Sequence, residues 1–128
     1  MEADIVRRNM RNILQTLTLV ADERYQRRAW SRTGDGESWE TYGEVMASLF
    51  DDADSLKFIK LSDQELDLST NEGSEFRGLI LRLAAHSDAH RPNRDVFYEM
   101  LKGDREWSDI VLRSQAFLKR LRRRERRN

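Results

Sequence analysis

Two histidines four residues apart, His86 and His90, with Asp88 between them, come closest in type and spacing to a reaction centre. Imidazoles at positions i and i+4 of a helix share a face and can chelate one divalent cation. A zinc peptidase also needs a glutamate directly after the first histidine as general base, and Ser87 stands there instead. The polar end of a helix before Pro92 accounts for these side chains equally well, so no metal ligand is assigned. The carboxylates of Asp51 and Asp52 invite acid/base chemistry, but neighbouring residues on a helix point about 100° apart. Nothing around them promises the apolar burial that would raise one carboxyl's pKa. No glycine-rich phosphate loop, serine elbow or nucleotide fingerprint occurs. The absence of cysteine removes disulfides, thiolate metal sites and cysteine nucleophiles together. The residues therefore point to binding, with no catalytic residue and no cofactor.

Charge says where binding would occur. The formal net charge is +0, yet residues 35–75 hold twelve acids against two lysines, a balance of −10. Residues 119–127 hold seven bases against one acid, a balance of +6. The acidic stretch adjoins Trp39 and Tyr42. Aromatics beside carboxylates supply the desolvated anchors of an interface while the acids steer a basic partner. The expected docking residues are Glu37, Trp39, Glu40, Tyr42, Glu44, Asp51, Asp52 and Asp54. The arginine-rich end suits phosphate, giving an alternative in which nucleic acid is the partner and affinity falls steeply with salt. Its simpler role is to complement the dipole at a helix C-terminus. It can also fold back on the acidic middle, within the same molecule or across a dimer.

The elements that must position these groups are helices, because apolar residues recur at steps of three and four and no run alternates cleanly. Val6, Met10, Ile13, Leu14, Leu17 and Val20 form the stripe of a first helix. Asp22 caps a second, on which Tyr25, Ala29 and Trp30 share a face, and the residues from Thr33 to Gly36 break it. A third, capped by Ser38, carries Trp39, Tyr42, Val45, Met46, Leu49 and Phe50. It ends on Asp51, Asp52 and Asp54, carboxylates that oppose the dipole there. Residues 55–68 read as a short helix or extended segment, followed by a loop through Ser69, Thr70, Asn71 and Gly73. The helical pattern resumes with Phe76, Leu79, Ile80, Leu83 and Ala84 and stops between His86 and His90. Asn93 caps a short helix with Val96, Phe97, Met100 and Leu101, ended by a left-handed Gly103. Asp104 caps the last, whose inner stripe is Trp107, Ile110, Val111, Ser114, Phe117, Leu118 and Leu121.

At 128 residues the chain makes one core. The expectation is an all-α, single-domain bundle of about five to six helices over residues 1–118, with residues 119–128 as an arginine-rich helical extension or tail. Three Trp, three Tyr and five Phe provide buried area despite a charged share of 36%. Trp30, Trp39 and Trp107 are candidates for burial in that one core, with Trp39 belonging to the interface instead if its truncation spares stability. No run reaches the length of a membrane span and the N-terminal residues lack a signal-peptide pattern, so no membrane partner and a cytoplasmic location are expected.

Several of these residues together resemble a family of small helical bacterial proteins that includes immunity proteins of contact-dependent growth inhibition systems. The resemblance runs through Met10, Arg11 and Asn12, then the stretch Asp22, Tyr25, Gln26 and Trp30. It continues in Leu49, Phe50, Asp51 and Asp52 and closes with Asp104 and Trp107. It implies a protein that binds and neutralises one cognate toxin, with no chemistry of its own. An acidic face suits such a role if the toxin is a basic nuclease.

Overall fold

The computed structural model describes residues 2–32, 41–90 and 96–127. Among them the architecture is all-α: eight α-helices and one π-helical turn, somewhat more elements than the periodicity predicts. Three long helices carry the core. These are α1 (Ala3–Val20), α6 (Thr70–His90) and α8 (Arg105–Arg127). Both α1 and α6 lie antiparallel to α8. Arg124, late in α8, meets Glu72 early in α6, and Asp104, just before α8, meets His86 near the end of α6. Gln115 of α8 donates to the carbonyl of Ala21, just past the end of α1.

The expected stripes are the buried ones. Val6, Met10, Ile13, Leu17 and Val20 face inward from α1, and all seven residues expected on the last helix are buried on α8. Asp104 caps α8, its Oδ1 accepting the amide N–H groups of Glu106 and Trp107. Helix α2 (Glu23–Ala29) is capped by Asp22, whose carboxylate accepts the Tyr25 amide. Helix α8 runs unbroken through position 119, with Leu118 and Leu121 buried on either side of it.

Four local expectations need correction. Helix α3 (Tyr42–Ala47) is capped by Thr41, which accepts the Glu44 amide; Ser38 lies outside the described residues. The loop expected over Ser69–Gly73 is the first turn of α6, nucleated by reciprocal bonds in which Glu72 Oε1 accepts the Ser69 amide and Ser69 Oγ accepts that of Glu72. Gly73 fits there because a Cβ would collide with the Asp63–Arg77 ion pair. Residues 55–68 form two separate turns, α4 (Ser55–Phe58) and α5 (Asp63–Leu66), the second closed by a Ser62/Glu65 capping box. The short helix α7 (Tyr98–Leu101) begins after Phe97, Gly103 is not left-handed, and Asn93 lies outside the described residues. The left-handed positions fall instead to Asp54 and Asp67, at φ 51° and 56°. Aspartate is among the few residues besides glycine that take this conformation readily.

Candidate functional site

Two constellations follow from this framework, one internal and one on the surface. The internal one is aromatic and polar. Trp107 sits with its ring 5.8 Å from Trp30, 5.6 Å from Tyr42 and 5.0 Å from His86. Tyr42, expected on the docking face, is therefore a core residue, 4% exposed, and reaches the surface only at the edge of a groove. The periodicity shared by Tyr42, Val45, Met46 and Leu49 already aligns it with the buried face of α3 and the turn that follows. Trp30 and Trp107 occupy the core as expected, and Trp39 lies outside the described residues.

Tyr42, His86 and Trp107 each have a defined polar partner in this cluster. His86 is buried, with Nδ1 2.8 Å from the Tyr42 hydroxyl and Nε2 2.8 Å from Asp104 Oδ2. Burial lowers the His86 pKa, against the raising effect of its hydrogen bond to Asp104. Burial likewise pushes the Tyr42 phenol upward, reinforced by the Asp104 charge. For Asp104 burial is the largest single influence and acts upward. The hydrogen bonds from His86 and the Trp107 and Glu106 amides together outweigh it and hold the carboxyl below its ordinary value. A neutral imidazole facing a carboxylate must carry its proton on Nε2, leaving Nδ1 to accept from Tyr42. The chain Tyr42–His86–Asp104 thus pins α3, α6 and the start of α8 to one another.

This linkage sets a direction with pH. The folded-state pKa of His86 lies below its unfolded value, so the unfolded chain binds the extra proton. Stability is then fullest above the unfolded histidine value of about 6.5 and declines as pH falls below it. The depressed Asp104 carboxyl adds to the loss at still lower pH, on the same side. The urea midpoint is expected to drop between pH 7.5 and 5.5; a midpoint that stays level would mean that His86 is charged in the folded state.

His90 lies one turn beyond His86, their rings stacked at 4.3 Å, and its Nδ1 donates to the His86 carbonyl at 2.9 Å. The sequence placed the two histidines together but not Asp104, which is 18 residues beyond His86. Gln26 is the other participant that sequence reasoning missed. It is fully buried, its amide donating to the carbonyls of Leu19 and Val20 and its Oε1 accepting the Trp107 indole N–H. No periodic signal identifies a buried glutamine, although its place between Tyr25 and Trp30 lies in the most distinctive stretch of the chain.

The surface constellation lies at the end of α3. The chain continues into a π-helical turn, Ser48–Asp52, where the Ala53 amide bonds the Ser48 carbonyl five residues back, and then passes through left-handed Asp54. Asp51, Asp52 and Asp54 are exposed here and make no ion pair among the described residues. Glu44, also exposed, accepts from the Thr41 hydroxyl. Glu37 and Glu40 lie outside the described residues. Beside the turn runs a groove of about 270 Å³ lined in part by Met46, Phe50, Leu56, Val96, Asp51 and His90. Leu56 is 41% exposed.

Three other acids of the middle stretch are paired with arginines. Asp63 pairs with Arg77, Glu75 with Arg120, and buried Glu72 with Arg124. The last two pairs show part of the arginine-rich end folded onto the acidic middle of the same chain. Lys119, Arg122 and Arg123 remain around a second groove of about 710 Å³, with Asp22, Glu23 and Arg24 on its other wall. No helix among the described residues is long and apolar enough to cross a membrane. Comparison with family models, with curated proteins and with solved structures finds no match to this chain.

Proposed function

We propose that this chain is a stoichiometric binding protein that captures a basic protein partner on the face around the π-helical turn, as an immunity protein captures its cognate toxin. The observation that carries this reading is a contrast between acids. Asp63, Glu72 and Glu75 are neutralised by arginines within the chain, whereas Asp51, Asp52 and Asp54 are exposed and without an ion pair among the described residues. Asp51 and Asp52 also stand at the end of a helix, where carboxylates are unfavourable. π-helical turns concentrate at functional sites, and an apolar groove rimmed by carboxylates offers both the desolvated contact and the steering that a basic partner needs.

The reading predicts opposite effects on binding and stability. Asp51→Lys, Asp52→Lys and Asp54→Asn combined should weaken partner binding at least tenfold while helical content stays constant. Asparagine is chosen at position 54 because it tolerates the left-handed backbone. Removing the carboxylates of Asp51 and Asp52 from the C-terminal end of the helix should raise stability by roughly 0.3–1 kcal/mol each. The partner is the protein recovered with tagged chain from cells that also express the adjacent upstream gene, and affinity is then measured by calorimetry. Unchanged affinity in the triple variant would remove this face from the interface. Recovery of nucleic acid that moderate salt releases would transfer the role to Lys119, Arg122 and Arg123.

A further inference from the structure

We infer that His86, His90 and Asp104 form a binding site for one divalent transition-metal ion, with zinc the best-matched class, joining the end of α6 to the start of α8. One donor atom from each of the three residues lies within 4.8 Å of the others. Bonds of about 2 Å to a tetrahedral ion need donors about 3.3 Å apart. His86 Nε2 and Asp104 Oδ2, now at 2.8 Å, would open slightly. Two imidazoles and one carboxylate suit zinc and leave a fourth position for water. The inference does not depend on the docking face.

Each donor is also held in a state suited to binding a cation. A carbonyl oxygen only accepts, so the 2.9 Å contact between His90 Nδ1 and the His86 carbonyl fixes the His90 proton on Nδ1. That leaves the Nε2 lone pair available, and no hydrogen bond engages it among the described residues. Metal-binding histidines are ordinarily oriented by such a donation to a carbonyl or carboxylate. Asp104 divides its labour similarly: Oδ1 accepts the two cap amides and Oδ2 faces His86.

His86 supplies the third donor through a change of tautomer. Without metal, its Nε2–H donates to Asp104 and its Nδ1 accepts from Tyr42. With metal on Nε2, the proton moves to Nδ1 and donates to the Tyr42 hydroxyl oxygen, which lies 2.8 Å away and can reverse its role. Tyr42 is then the outer partner that orients the ligand. His90 lines the groove beside the π-helical turn, as do Asp51 and Asp88, so a cation has an acidic approach.

The test is titration of metal-free full-length protein with Co²⁺, read by its visible absorption, and with Zn²⁺, read by calorimetry and thermal unfolding. Wild type should bind one ion with micromolar or tighter Kd, show the intense bands of tetrahedral cobalt, and unfold at a higher temperature with zinc. His90→Ala removes a half-buried donor, and Asp104→Asn keeps an oxygen to cap α8. Both should fold and bind each ion at least tenfold more weakly, without the thermal shift. Absence of one-to-one binding in wild type, or a variant that binds within threefold of it, would overturn the site.

Discussion

Replacing Trp107 by alanine should destabilise the chain by roughly 3–5 kcal/mol, the usual cost of truncating a buried tryptophan. That is a large part of the 5–15 kcal/mol that holds an ordinary domain together. The magnitude follows from position. Trp107 is 3% exposed and touches rings from three other elements: Trp30 after α2, Tyr42 in α3 and His86 in α6. Truncation would leave a cavity at the point where these elements meet and orphan the Gln26 carbonyl oxygen. Trp107→Phe separates the two losses. It keeps most of the apolar volume but cannot donate, so about 1–3 kcal/mol is expected from the unpaired oxygen and residual misfit. Urea unfolding measures both, and a Trp107→Ala loss below 1 kcal/mol would mean that the ring cluster does not organise the core.

Gln26→Ala should follow closely, at about 2–4 kcal/mol, because one side chain serves three buried or half-buried partners. Its amide donates to the carbonyls of Leu19, which also accepts the Asp22 amide, and Val20 at the end of α1, and its oxygen takes the indole N–H from α8. Gln26→Leu preserves volume and removes the hydrogen bonds, and most of the loss should remain. Combining Gln26→Leu with Trp107→Phe removes donor and acceptor together. The pair should then cost less than the sum of the single changes, since neither is left unsatisfied by the other. Strict additivity would show that the indole contact contributes nothing beyond packing.

These two residues mark where sequence stops being legible. The amphipathic stripes of α1 and α8 could be read residue by residue, because a helix that must bury one face declares it every three or four positions. The caps Asp22 and Asp104 were equally plain, since a short acceptor before an apolar run has few other uses. Thr41 with Glu44 and Ser69 with Glu72 carry the same kind of signal at the spacing of a capping box. The apolar pattern of residues 39–50 and the loop-rich composition of residues 69–73 masked it.

The candidate site divides in the same way. The acidic excess of residues 35–75 is a property of composition, and Asp51 and Asp52 lie on the surface because carboxylates without partners stay in water. Which acids are neutralised depends on α8 returning antiparallel along α6, so that Arg120 and Arg124 arrive opposite Glu75 and Glu72. Sequence alone determined the all-α class, the buried faces of the long helices and the pairing of His86 with His90, since all of these rest on local spacing. Only the tertiary structure decided that Tyr42 turns inward, that Gln26 receives Trp107 and that Asp104 joins the histidines. Those contacts join residues 18 to 81 positions apart, and such long-range meetings are set by how the helices pack.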